Sequence, residues 1–218
     1  MKKVHTWYLP DYDTHFEQWL KVNNEFTYQK KQRAYALERV TQFQRAIDIG
    51  GNVGFWSKDF CDRFKDVQIF EPDLDNLKCL KANLEDRSNY TIHEVGLADV
   101  PGELSFYKST VCCGGHSVFR EQVFEETVVP TKITVRTLDE YAFTDVGLIK
   151  IDTQGSELNI LKGARDTLTR ESPILNIEIE HKTPEQKNTG QLIHNYLKEL
   201  NYREIGRSRR KEVVFAKM

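Results

Sequence analysis

Two groups of residues have types and spacings suited to chemistry. The first is the run Asp48-Ile49-Gly50-Gly51-Asn52-Val53-Gly54, with Glu71 and Pro72 downstream. Glycines so closely spaced let the backbone turn sharply and let a flat ligand approach it. A carboxylate about twenty residues beyond such a turn, at the tip of the next strand, is placed to accept both hydroxyls of a ribose. Together they imply a nucleoside cofactor. The turn lacks the second glycine of G-x-G-x-x-G, which lets a pyrophosphate press on the backbone, and so disfavours NAD. The second group is acidic: Asp152, then Glu178, Glu180 and His181 at the end of an apolar run. A positioned carboxylate or imidazole can take the proton of a hydroxyl.

These groups need particular elements beneath them. Ala46, Ile47 and Ile49 suit a buried parallel strand, and Phe55, Trp56, Phe60 and Phe64 recur at helical spacing beyond the turn. That helix aims its free N–H groups at whatever lies over the glycines. A second strand ends at Glu71, and Pro72 suits the start of a helix carrying Leu74, Leu77, Leu80 and Leu84. Tyr90 to Val95 reads as a third strand leading to Asp99. Ile149 and Ile151 fill a fourth, with Asp152 at its C-terminal end, followed by one helix that turns Leu158, Leu161, Ala164 and Leu168 inward. Pro173 to His181 is a fifth strand, and its alternation leaves open which of Glu178, Glu180 and His181 faces the site.

Residues 1–44 read as an extension of two helices, around Phe16, Trp19 and Leu20 and around Ala36, Leu37, Val40 and Phe43. Between the third and fourth strands, Leu104–Tyr107 and Lys132–Val135 are strand-like and flank a long loop, Cys113-Gly114-Gly115-His116-Ser117, read as a flap over the site with His116 solvated. Gly190 to Leu200 forms a last helix. Tyr202–Gly206 and Val213–Phe215 then make a hairpin around a solvated basic tip, Arg207 to Lys211. The expected architecture is α/β: a doubly wound, mostly parallel sheet over residues 45–218, with an N-terminal helical extension over 1–44 and an antiparallel C-terminal hairpin.

With Asp48 ahead of the glycines, the first motif resembles the D-x-G-x-N-x-G loop of S-adenosylmethionine-dependent methyltransferases and is similar to the D-I-G-A-N-V-G loop of the FkbM family. Phe70-Glu71-Pro72 and Ile149-Lys150-Ile151-Asp152-Thr153-Gln154-Gly155-Ser156-Glu157 follow in the order of that family's F-E-P and I-D-x-E-G-x-E motifs. Gln154 departs from the family's acid, whereas Glu157 matches. The resemblance implies S-adenosyl-L-methionine as cofactor, held by Asp48, Gly50, Gly51, Asn52, Gly54, Glu71, Pro72 and Asp152. It also sets Asp99 near the adenine, although before Pro101-Gly102 an Asp equally suits a turn. It implies an O-methyltransferase acting on a small-molecule or carbohydrate hydroxyl, with Asp152, Glu178, Glu180 and His181 as catalytic candidates. A divalent cation held by Asp152 with Glu178 or Glu180 ranks below the metal-free reading, because no ligand spacing marks it.

Composition bounds the alternatives. The chain has 218 residues, 39% of them hydrophobic, enough for one α/β domain of ordinary size. Thirty-one Lys and Arg against 33 Asp and Glu give no drive towards nucleic acid or an anionic membrane. No apolar run reaches membrane-spanning length and none near Met1 suits a signal peptide, so a cytoplasmic protein without membrane insertion is expected. Cys61, Cys79, Cys112 and Cys113 lack C-x-x-C spacing and are expected as free thiols. The rival classes are an NAD(P)-dependent oxidoreductase or epimerase and a non-catalytic cofactor-binding module.

Overall fold

The computed structural model describes residues 1–23, 27–123, 128–180, 183–208 and 211–218. Its centre is a seven-stranded sheet. The strands in chain order are β3 (Arg45–Ile49), β4 (Asp66–Phe70), β5 (Tyr90–His93), β9 (Val146–Ile151), β10 (Ile174–Glu178), β11 (Tyr202–Ser208) and β12 (Glu212–Lys217). In space the order is β11-β12-β10-β9-β3-β4-β5. The pairs β3–β4, β3–β9, β4–β5 and β9–β10 are parallel, and β12 is antiparallel to both β10 and β11. The sheet is therefore mostly parallel and closes with an antiparallel hairpin, as expected.

Parallel strands covered on both faces must be apolar nearly throughout, and all six residues of β9 are buried. On one face Ile47, Ile149 and Ile177 pack with Ile160, Leu161 and Leu168 of α5 (Glu157–Lys162) and α6 (Arg165–Glu171), and with Ile193 and Leu197 of α7 (Pro184–Glu199). On the other, Ala46, Val67 and Ile69 pack with Trp56 and Phe60 of α3 (Phe55–Cys61), Leu77 and Leu80 of α4 (Leu74–Asn83), and Ala36 and Leu37 of α2 (Lys30–Leu37). Ligands bind outside the carboxyl ends of such strands, and Gly50, Glu71, Asp152 and Glu178 all stand there.

Several expectations change. The extension opens with a hairpin, β1 (Lys2–Val4) and β2 (Trp7–Leu9), before α1 (His15–Val22). Three-residue strands are too short for alternation to show. Val40 and Phe43 lie beyond the end of α2. The expected helix after Asp152 is two, α5 and α6, broken at Gly163, where a Cβ would come within 2.0 Å of the Ala98 carbonyl oxygen. The tight backbone approach replaces a helical turn, and Ile160 is buried where Leu158 is only partly so. β6 (Gly96–Leu97), β7 (Gly102–Lys108) and β8 (Val129–Arg136) leave the main sheet and form a second one in the order β6-β8-β7. The helix α7 starts six residues before Gly190, where the Thr183 hydroxyl accepts from Gln186 N and the Gln186 side chain accepts from Thr183 N. Cys61, Cys79, Cys112 and Cys113 are free thiols, and among the described residues no helix is long and apolar enough to cross a membrane.

Candidate functional site

A cleft of about 420 Å³ lies over the carboxyl ends of β3, β4, β9 and β10. Its floor is the glycine turn. Gly50 adopts a left-handed φ of 78°, and a Cβ there would lie 2.0 Å from the Asp152 carbonyl oxygen, so only glycine lets the two strand ends meet. Gly50 N and Gly51 N both donate to Phe70 O at 3.0 Å, which fixes the turn against β4.

Glu71 lines the cleft and is 4% exposed. Its Oε2 accepts from Asn52 N at 2.7 Å and its Oε1 from Asp73 N at 2.9 Å. Burial pushes its carboxyl up to about 7, and the two backbone amides pull the other way. Asn52, itself at a φ of 49°, is held by Glu71 in this turn. Pro72 also lines the cleft.

Asp48 and Gly54 lie beneath the cleft and do not line it. Asp48 is sealed from solvent, takes the Ser57 hydroxyl at 2.6 Å and pairs with Lys150 Nζ at 3.0 Å. Lys150 in turn donates to Gly50 O at 2.6 Å and Ile49 O at 3.3 Å. The motif's acid thus supports the turn from below, through a lysine the sequence reading passed over. Asp99 is exposed and away from the cleft, where Gly96 and Leu97 stand instead. Together with Ile133, Val135 and Pro72, Gly96 forms an apolar slot: a Cβ on it would lie 3.1 to 3.9 Å from these three side chains.

At the opposite end, Gln154 joins Asp152 to Glu178. Its amide nitrogen is 2.8 Å from Asp152 Oδ1 and 2.6 Å from Glu178 Oε2. An acid at position 154 would place three carboxylates together, whereas the amide donates to two. Glu178 ends β10 and is buried. Burial, then the charges of Asp152 and Glu212, raise its proton affinity well above the ordinary carboxylate range. Glu180 lies beyond the strand, lines the cleft and pairs with Lys211 Nζ, which also stands 3.5 Å from Glu178 Oε1. The basic tip is therefore not wholly solvated: Lys211 serves the site and Arg207 pairs with Glu204, while Arg209 and Arg210 lie outside the described residues. His181 also lies outside them. Among the described residues no three His, Cys, Asp or Glu groups are placed to hold a metal ion.

Glu157 is buried behind the cleft. Its carboxylate accepts from Thr153 N, Gly155 N and the Thr153 hydroxyl at 3.0 to 3.1 Å, which shapes the Thr153–Gly155 bend. The flap and extension cover the site. Cys112, Cys113, Gly114, Gly115 and His116 line it from one side, and His15, Phe16, Tyr28 and Gln29 from another. Ser117 Oγ donates to Gln154 O at 2.7 Å and so ties the flap to the acidic end. His116 is buried, contrary to expectation: Nδ1 accepts from Ser109 N at 3.0 Å and Nε2 lies 2.9 Å from the Tyr12 hydroxyl.

Comparison with known proteins gives the family and the fold. The methyltransferase FkbM domain matches residues 48–204. The hexuronic acid methyltransferase AglP of Haloferax volcanii is 28% identical over 141 residues, covering 61% of this chain and 54% of that protein. The crystal structure of the methyltransferase FkbM from Methylobacillus flagellatus aligns with a TM-score of 0.54 at 22% identity, over 79% of this chain and 43% of that one. A Streptococcus mutans protein in complex with SAH, described as a methyltransferase, aligns with a TM-score of 0.55 at 13% identity, over 87% and 97%. The chain spans about half the length of the curated relative it matches. With the domain match extending from the glycine turn to the closing hairpin, the chain belongs to the FkbM methyltransferase family.

Proposed function

We propose that the protein transfers a methyl group from S-adenosylmethionine to a hydroxyl of a sugar, glycan or small metabolite. The observation that carries this reading is the sharing of one cleft by the glycine turn, Glu71 and the Asp152–Gln154–Glu178 group. The donor set fits an adenosine: bare backbone at Gly50 and Gly51, a carboxylate at Glu71 for a ribose diol, and an apolar slot at Gly96, Ile133 and Val135 for a flat base. When bound, the cofactor supplies its own electrophilic methyl and leaving group.

The chain's part is alignment and proton handling. Holding an acceptor oxygen in line contributes ~7–11 kcal/mol by proximity. Asp152, joined through the Gln154 amide to the buried Glu178, is the proton acceptor in this reading. Gln154 fixes both carboxylates, Lys211 neutralises Glu180, and Phe16 and Tyr28 exclude water. Residues 45–218 then carry the transferase domain and residues 1–44 act as its cover.

Calorimetry with S-adenosylmethionine and NAD, followed by a screen of carbohydrate acceptors with methyl-labelled cofactor, tests the reading. Binding of S-adenosylmethionine and labelling of a hydroxyl support it. Binding of NAD alone, or cofactor binding without turnover on any acceptor, would favour the oxidoreductase or the non-catalytic module.

A further inference from the structure

A second hollow, of about 140 Å³, opens off the cleft. The two share Gln122, Gln154, Glu178 and Glu180, so they meet where the carboxylate pair stands. Phe119 and Gln122 form one wall and press on Gly155, where a Cβ would lie 3.1 Å from the Phe119 ring and 3.3 Å from Gln122. From α7 come Gln186, Thr189 and Ile193, and Gln186 Nε2 donates to Gln122 Oε1 at 2.7 Å. Glu121 and Glu185 are its exposed members.

An aromatic face beside side-chain amides and a hydroxyl offers what a pyranose ring presents to be recognised: apolar C–H faces and a rim of groups that both donate and accept. The formal charges are one-sided. Among the described lining residues Glu121, Glu157, Glu178, Glu180 and Glu185 are acidic, and none is Lys or Arg. Lys211 stands on the cleft side and is already paired with Glu178 and Glu180. Glu121 and Glu185 at the rim therefore carry the charge that an entering carboxylate meets, with no Lys or Arg among the described lining residues to offset it.

We propose that this hollow is the acceptor subsite and that it takes a sugar without negative charge, a neutral or amino-substituted pyranoside, in preference to a uronate. The proposal rests on the methyltransferase reading above and departs from the relative named for a hexuronic acid.

The test is methyl transfer to methyl glycosides of glucose, glucosamine and glucuronate at low and physiological ionic strength, with S-adenosylhomocysteine binding and glycoside binding measured alongside. The neutral or amino glycoside is expected to exceed glucuronate in kcat/KM by about tenfold or more. Only the glucuronate reaction should improve with added salt. The double variant Glu121→Gln/Glu185→Gln should raise glucuronate turnover about threefold at low salt with S-adenosylhomocysteine affinity unchanged. Gln122→Ala should raise KM for the neutral glycoside about five- to tenfold. A preference for glucuronate in the wild type overturns the proposal, and so does a glycoside KM indifferent to both variants. Failure to bind S-adenosylhomocysteine sinks the methyltransferase reading. Binding of S-adenosylhomocysteine with no glycoside bound or methylated sinks the subsite alone.

Discussion

Lys150 Nζ lies 3.0 Å from Asp48 Oδ1, with both side chains sealed inside the sheet. The two residues are direct partners in the β3–β9 register. Burial weakens the hold of Lys150 on its proton, and the charges of Asp48 and Asp152 more than restore it. Lys150→Met is expected to destabilise the fold by ~3–5 kcal/mol, because it leaves a buried carboxylate without its cation. Adding Asp48→Asn to that variant should recover much of the loss. Urea titrations of the two single variants and the double variant measure the coupling, and simple additivity would refute it.

Ligand-free stability should decline with rising pH. Glu71 and Glu212 are each raised to about 7 from an ordinary 4.5, with burial as the main cause in both. The folded chain therefore holds these protons more tightly than the unfolded chain. The resulting stability is fully present below about pH 4.5 and is lost as pH rises through about 7. Urea midpoints taken from pH 5 to 8 should fall, and Glu212→Gln should flatten the fall. An unchanged slope in that variant would remove Glu212 as a cause.

Cofactor binding should respond in the opposite direction. A ribose diol donates to an ionised carboxylate, so affinity for S-adenosylmethionine is expected to rise with pH through about 7, the value Glu71 holds in the folded chain. Glu71→Ala should weaken binding by ~1.5–3 kcal/mol, the scale for hydrogen bonds to a charged partner, and abolish the pH response. Calorimetry across that range is the check. A dissociation constant indifferent to Glu71→Ala would make the residue a brace for Asn52 and Asp73 alone.

At the other end of the cleft, Asp152→Asn should keep the fold and depress methyl transfer. Gln154→Glu tests the departure from the family motif. It replaces an amide that donates to both Asp152 and Glu178 by a third carboxyl, and is expected to cost ~1–3 kcal/mol of stability, more at pH 8 than at pH 5.5. Thermal melts at the two pH values settle it, and equal loss at both would argue against charge as the cause.

Much of this was legible in the sequence because it is local. The glycine turn, the acid at the tip of β4 and the acids ending β9 and β10 each follow from a short apolar run meeting a breaker. What escaped depends on partners far along the chain. Asp48 reads as a cleft residue until Lys150 is placed across the sheet from it. Lys211 reads as part of a solvated tip until β12 brings it beside β10. Asp99 and the helix break meet where Gly163 approaches Ala98 and Asp99, a contact that no periodicity encodes. The hairpin at residues 2–9 carries too few residues per strand to alternate visibly.

One carboxylate joins two of the segments that cover the cleft. Asp13, fully buried, accepts from Phe16 N at 2.7 Å through one oxygen and from Cys113 N at 2.7 Å through the other. The start of α1 and the flap are therefore fastened to the same side chain. Displacing either one takes a backbone amide from an oxygen of the same buried carboxylate, so opening the cleft at Phe16 and opening it at Cys113 draw on one shared acceptor.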